Sequence, residues 1–237
     1  MILLAGYKKM NKLVKHDSIQ QLLHGLSNSV AMDLRDSLKN KNFVSLSVPG
    51  GTTPAPFFDL LCKESLDWSR IKILLSDERY VPESNDRSNT ILVKRHLMQS
   101  NAANAQLISF YNPDQTEDEF VRQNVANMNT IMPIDVSVLG MGLDMHTASL
   151  FPDSAELADA LSTSEPLYVV RPASQPEARI TLSGRVLAQA AKTYILIIGQ
   201  EKLAAYNLAM SESSAMLAPI RTVFGNQTKV FWADIDN

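Results

Sequence analysis

Three short segments gather most of the residues able to do chemistry. In Gly140-Met141-Gly142-Leu143-Asp144-Met145-His146-Thr147 an imidazole stands two residues from a carboxylate. In an extended or turn backbone that spacing lets both side chains point to one side. A carboxylate beside an imidazole orients the ring and raises its basicity, which suits His146 as a proton acceptor with Asp144 behind it. The plainer alternative is a buried, hydrogen-bonded loop histidine, and the pair alone is too sparse for a metal site. In Gly50-Gly51-Thr52-Thr53 a predicted strand feeds glycines and hydroxyls into a helix N-terminus. Backbone N–H groups and the positive end of the helix dipole there make an anion cradle. The spacing matches neither a Walker loop nor G-x-G-x-x-G, and a tight turn capped by Thr53 is the competing reading. Ser76-Asp77-Glu78-Arg79 ends a second strand with three ionisable groups, fit for sugar hydroxyls or acid–base work, or else a solvated surface turn. Lys202 follows Gly199 at another helix N-terminus, where its ammonium could meet a phosphate, and Arg179 offers a second cation. A solvated helix lysine, and an ion pair or cap for Arg179, are the alternatives.

The rest of the composition narrows the chemistry. His16, His24 and His96 fall on predicted helices, so His146 is the histidine placed for catalysis. Cys62 is the single cysteine, which excludes an intrachain disulfide and a multi-cysteine metal site. No Gly-x-Ser-x-Gly elbow occurs. A net charge of -3 speaks against a general nucleic-acid or membrane binder. With 45% hydrophobic and 20% charged residues, the 237-residue chain reads as one globular domain. The run Tyr194 to Ile198 is far too short for a membrane span. The opening apolar stretch is too short for a signal peptide, so a cytoplasmic protein is expected. Met10 is an alternative start, with residues 1–9 an upstream extension. Nine glycines in 237 residues is about half the usual share of roughly 7%. A chain so poor in glycine is expected to keep it where the backbone demands it.

Alternating strands and helices must position these segments. Asp17 is expected to cap a long helix carrying Ile19, Leu22, Leu23, Leu26, Val30, Leu34 and Leu38 on one face. Strands are expected at 43–48, 71–75, 134–139, 167–170, 193–198 and 228–232. Thr53 before Pro54, and Ser88 or Asn89, are expected to cap helices. Thr116 with Glu119 forms a capping box for a helix reaching about Ile131. Arg179-Ile180-Thr181-Leu182 leads into a helix near Ser183, and 201–210 is a further helix. Apolar strands alternating with helices predict a mostly parallel, doubly wound α/β sheet. Ligands bind beyond the carboxyl ends of such strands, where segments 49–54, 76–79 and 140–147 all fall.

Together these segments resemble the 6-phosphogluconolactonases of the glucosamine-6-phosphate isomerase/deaminase superfamily. The matching stretches are SVPGGTTP (47–54), LLSDERYVP with SN (74–82, 88–89), DVSVLGMGLDMHTASLFP (135–152), RITL (179–182) and GQEKLAAY (199–206). They are spread in the family's order over nearly the whole chain, and HTASLFP is the most specific. The family usually reads Asp-Gly-His where this chain has Asp144-Met145-His146, so a side chain at Met145 is expected to need a different local backbone. The stretch MLAPIRTV only loosely resembles the family's Leu-Pro-Ala block.

The resemblance implies a Rossmann-like sheet of the ribose-phosphate isomerase/glucosamine-phosphate deaminase type. It implies hydrolysis of 6-phospho-D-glucono-1,5-lactone, with neither cofactor nor metal, in a monomer or small homo-oligomer. His146 would be the general base, Asp144 would orient it, and Arg79 would stabilise developing charge. Gly50, Gly51, Thr52, Thr53, Lys202 and Arg179 would hold the phosphate, with Asp77 and Glu78 holding Arg79 or sugar hydroxyls. The nearest alternative is a glucosamine-6-phosphate deaminase, but those enzymes continue His-Ile-Ala-Phe-Asn-Glu-Pro and so supply a carboxylate that HTASLFP lacks. A third reading is a catalytically weak sugar-phosphate binder. Related DNA-binding regulators carry a helix-turn-helix ahead of this domain; the few residues before the first long helix and a chain that is not basic disfavour that reading.

Overall fold

A computed structural model describes residues 11–235, so the proposed extension at 1–9 lies outside the described residues. The strands are β1 (Lys12–His16), β2 (Val44–Val48), β3 (Ile71–Leu75), β4 (Asp77–Arg79), β5 (Gln106–Ile108), β6 (Val136–Gly140), β7 (Leu167–Val170), β8 (Arg179–Leu182), β9 (Lys192–Ile198) and β10 (Thr228–Ala233). The helices are α1 (Ile19–Leu38), α2 (Ala55–Leu61), α3 (Asn89–His96), α4 (Glu117–Asn129), α5 (Leu157–Ser162), α6 (Gly184–Ala188) and α7 (Gln200–Ser211).

Seven strands form one sheet in the order β1-β10-β9-β6-β2-β3-β5, and every pairing in it is parallel. The chain runs outward from β2 through β3 to β5, then returns to lay β6 on the other side of β2. From β6 it runs outward again through β9 to β10. The β2/β6 boundary is thus a topological switch point, where successive loops leave in opposite directions and open a crevice. The expected doubly wound parallel sheet is the fold observed.

The central strands β2, β6 and β9 are buried on both faces but not apolar throughout. Ser47, Ser137 and Thr193 lie in register across β2, β6 and β9, fully buried in a row. The opposite face carries the large apolar residues that meet α1, whose Leu22, Leu26, Val30 and Leu34 are all buried. Tyr194 on β9 reaches α1, its hydroxyl donating to Asp33.

Several local expectations need correction. Ser18, not Asp17, caps α1, accepting from the Gln21 N–H at 3.2 Å. His16 ends β1 rather than lying in a helix, and stacks on Phe231. Thr53 is no cap: Pro54 stands at that position of α2, with no side-chain hydrogen bond. The Thr116–Glu119 capping box forms as expected. The strands β1, β4, β5 and β8 were not expected, nor was the antiparallel sheet β4-β8-β7.

Candidate active site

The second sheet decides which of the clustered charges reach the crevice. Strand side chains alternate between faces, so Asp77 and Arg79 share one face of β4 and Glu78 takes the other. β4 pairs with β8 with Asp77 opposite Thr181, Glu78 opposite Ile180 and Arg79 opposite Arg179. Two arginines therefore stand side by side on the crevice face, an arrangement that repels unless anionic charge compensates it. Asp77 supplies part of that charge, its Oδ2 lying 3.5 Å from Arg179 Nη1. Ser149 Oγ donates to the same oxygen at 2.5 Å, and Ser76 Oγ to Oδ1. Arg179 also donates to Gln175 Oε1 at 2.6 Å and lies over the Phe151 ring, 5.3 Å from its centroid. Burial lowers the Arg179 pKa and the Asp77 charge opposes that shift; the guanidinium stays a cation. Asp77 thus holds Arg179, not Arg79 as expected.

Glu78 turns away from the crevice and lies only 1% exposed. Its Oε1 accepts from the Arg79 and Asn89 N–H groups at 2.9 and 2.8 Å. Its Oε2 accepts from the Thr90 N–H and Oγ1 at 2.8 and 2.9 Å and from Ser88 Oγ at 3.2 Å. The carboxylate therefore caps α3; Ser88 occupies the cap position but makes no cap bond of its own. Burial raises the Glu78 pKa, and the hydrogen bonds from Asn89 and Thr90 offset only part of the rise. Glu78 is thus absent from the cavity lining, and of Arg79 it holds only the backbone N–H.

His146 sits in the loop after β6. Its Nδ1 lies 2.6 Å from Asp144 Oδ1, and the same oxygen accepts the His146 N–H at 3.2 Å. A carboxylate can only accept, so the proton belongs on Nδ1 and Nε2 is left basic. Burial pushes the Asp144 carboxyl up, but the hydrogen bond and charge of His146 outweigh it and hold the pKa below the ordinary range. The imidazole stacks on Phe151 with ring centroids 4.1 Å apart, which fixes its plane. Gly142 is essential to this turn: a Cβ there would come within 2.1 Å of His146 Nδ1 and 2.2 Å of Asp144 Oδ1.

The backbone does not avoid the side chain at Met145. Met145 takes φ 65°, in the left-handed region that glycine prefers. The strain, on the order of 1–2 kcal/mol for an L-residue, is held by tertiary contacts. The Ile220 N–H donates to the Met145 carbonyl at 3.0 Å, and the Gly142 N–H to that of His146 at 2.9 Å.

These groups line one cavity of about 280 Å³ at the switch point. Gly50, Gly51 and Thr53 form one wall, Arg79, Asn89 and Arg179 another, and His146 with Lys202 a third. Lys202 Nζ donates to the Met141 carbonyl at 2.6 Å; burial lowers its pKa and the charge of Asp144 opposes that. Thr52 and Glu78 do not line the cavity, and Asp144 stands behind His146. Sequence reasoning missed Asn89, Ser149, Phe151 and Gln175 as site residues. Asn89 was legible as a helix cap and in the SN match at 88–89, and Ser149 and Phe151 only as part of HTASLFP. Among the described residues no group of three or more His, Cys, Asp or Glu is placed to hold a metal ion.

This fold and cavity belong to a known family. The model for glucosamine-6-phosphate isomerases/6-phosphogluconolactonase matches residues 17–232, and the chain is a member of that family. Within it, the chain is 40% identical to a 6-phosphogluconolactonase of Pseudomonas aeruginosa, over 91% of this chain and 92% of that protein. It is 33% identical to a 6-phosphogluconolactonase of Rhizobium meliloti, over 90% and 94% of the two chains. The crystal structure of a 6-phosphogluconolactonase from Shewanella baltica superposes with a TM-score of 0.90 at 34% identity, covering 96% of this chain and 99% of the other.

Proposed function

We propose that this chain hydrolyses 6-phospho-D-glucono-1,5-lactone to 6-phospho-D-gluconate, with His146 as general base and no metal. The observation that carries the reading is the His146–Asp144 pair, its Nε2 left basic, in the wall of a cavity that also holds two facing arginines and a lysine. Family membership and relatives named 6-phosphogluconolactonase support it.

His146 Nε2 takes a proton from water as the water oxygen bonds to C1 of the lactone. The carbonyl oxygen becomes an oxyanion, faced by the Arg79 guanidinium. The C1–ring oxygen bond then breaks, and the imidazolium returns its proton to the ring oxygen. Asp144 stabilises the imidazolium between the two transfers. Acid–base help of this kind is worth ~10²–10⁴-fold, which suits a strained cyclic ester. Gly50, Gly51, Thr53, Lys202 and Arg179 supply amides, a hydroxyl and two cations for the distal phosphate, with Thr52 at the loop's outer edge. An anion there also relieves the repulsion between Arg79 and Arg179.

Deamination of glucosamine-6-phosphate is disfavoured at one position. In HTASLFP, Phe151 stands where the deaminases' His-Ile-Ala-Phe-Asn-Glu-Pro places glutamate, and its ring stacks on His146. The decisive test is lactone turnover, with lactone generated in situ by glucose-6-phosphate dehydrogenase and the spontaneous rate subtracted. The chain should exceed that rate clearly and release no ammonia from glucosamine-6-phosphate. His146→Ala should fold and lose about 10²–10⁴-fold in kcat. A folded His146→Ala variant with near-full activity would remove the base assignment.

A further inference from the structure

Arg79 is held by one buried side chain that also reaches the Asp77 carbonyl on β4 and packs against Gly50 in the loop after β2. We propose that Asn89 is a positioning residue that fixes the Arg79 guanidinium for charge stabilisation. This rests on the lactonase reading for the role of Arg79, though not for its placement. Asn89 is 3% exposed and lines the cavity. Its Oδ1 accepts from Arg79 Nη1 at 2.8 Å, and its Nδ2 donates to the Asp77 carbonyl at 2.9 Å. Those partners fix the amide orientation, since arginine only donates and a carbonyl only accepts. Arg87 contributes its backbone carbonyl to the same Nη1 at 2.8 Å. With Nη1 engaged twice, the Nε and Nη2 groups are the donors left over, and Nε is buried without a protein partner among the described residues.

The amide is itself clamped. Its backbone N–H is bound by Glu78, whose other oxygen holds Thr90 and Ser88. Its side chain packs flat against Gly50, where an added Cβ would come within 2.1 Å of Asn89 Cγ. Glycine in the anion loop thus makes room for the residue that orients the arginine. The nearest isosteres fail one demand or another: leucine has the shape without the bonds, and aspartate cannot donate to the Asp77 carbonyl.

A misplacement of about 1 Å in a group that stabilises transition-state charge costs up to ~10²-fold. Asn89→Ala is therefore expected to lower kcat by roughly 10- to 100-fold while KM moves little. In the Arg79→Ala background the same change should cost nothing further, because the residue acts through Arg79. A second readout needs no turnover. The Nε–H resonance of Arg79, assigned by its loss in Arg79→Lys, should be sharp in the parent protein. It should broaden by exchange in Asn89→Ala and equally in Asn89→Leu, which keeps the shape without the bonds and takes the place of the alanine variant if that does not fold. Additive losses in the double variant, or an Arg79 resonance unchanged in Asn89→Ala, overturn the proposal. Absent lactone turnover by the parent protein removes the lactonase reading instead, and leaves the resonance experiment to decide the placement of Arg79.

Discussion

Met145 holds a conformation its side chain dislikes, next to the imidazole proposed as the general base. At φ 65° an unbranched residue is strained and a β-branched one is worse. Met145→Gly relieves that strain but frees the unfolded chain, two effects of about 1 kcal/mol and opposite sign. Its stability should change by less than about 1 kcal/mol, with turnover retained. Met145→Val should instead lose roughly 2 kcal/mol or more in denaturant unfolding; a Met145→Val protein as stable as the parent would show that the turn is not held left-handed. Asp144 adds a pH dependence. Its native pKa lies below the unfolded value, so its contribution is complete above the ordinary carboxylate range and fades as pH falls through the lowered native value. Between about pH 6 and pH 3, Asp144→Asn should therefore lose less stability than the parent protein. Equal acid losses in the two proteins would contradict the pairing.

At the scale of elements, Glu78 shows what was legible and what was not. Three ionisable residues at a strand end looked like a loop because charge hides periodicity. The structure makes them a three-residue strand, and alternation sends Asp77 and Arg79 to the cavity and Glu78 beneath α3. Nothing local announces that strand, because its partner β8 lies about a hundred residues away. The Thr116–Glu119 box was legible because both partners sit within one turn. Strands β2, β3 and β9 were legible because they are mostly apolar and buried, whereas β1 is as long as β2 but half exposed, and β5 is both short and half exposed. Glu78→Ala should orphan several buried donors at once and destabilise the protein by on the order of 3 kcal/mol. Thermal or denaturant unfolding reads this directly, and a loss well under 1 kcal/mol would mean that α3 is capped by other means.

Over the whole molecule, the cavity is made by loops from elements far apart in sequence, so a ligand there ties the fold together. At about 100 times its dissociation constant, 6-phosphogluconate should add ~2.7 kcal/mol. For a chain of this length that raises Tm by roughly 5–10 °C. Arg179→Ala should lose most of the shift, and an undiminished shift in that variant would place the anion elsewhere. The sequence by itself determined the parallel α/β class, the three strand ends that bear chemistry, and the local His146–Asp144 pairing. Each of these is written in periodicity or in neighbours a few residues apart. Only the tertiary structure decided that Arg79 faces Arg179, that Asp77 serves the second arginine and Glu78 a helix, and that Asn89 stands between Arg79 and Gly50. Those relations depend on strand register and close approach between distant segments, which no local pattern encodes. Met145 belongs to both: its identity set the strain, and its bond to Ile220 helps hold it there.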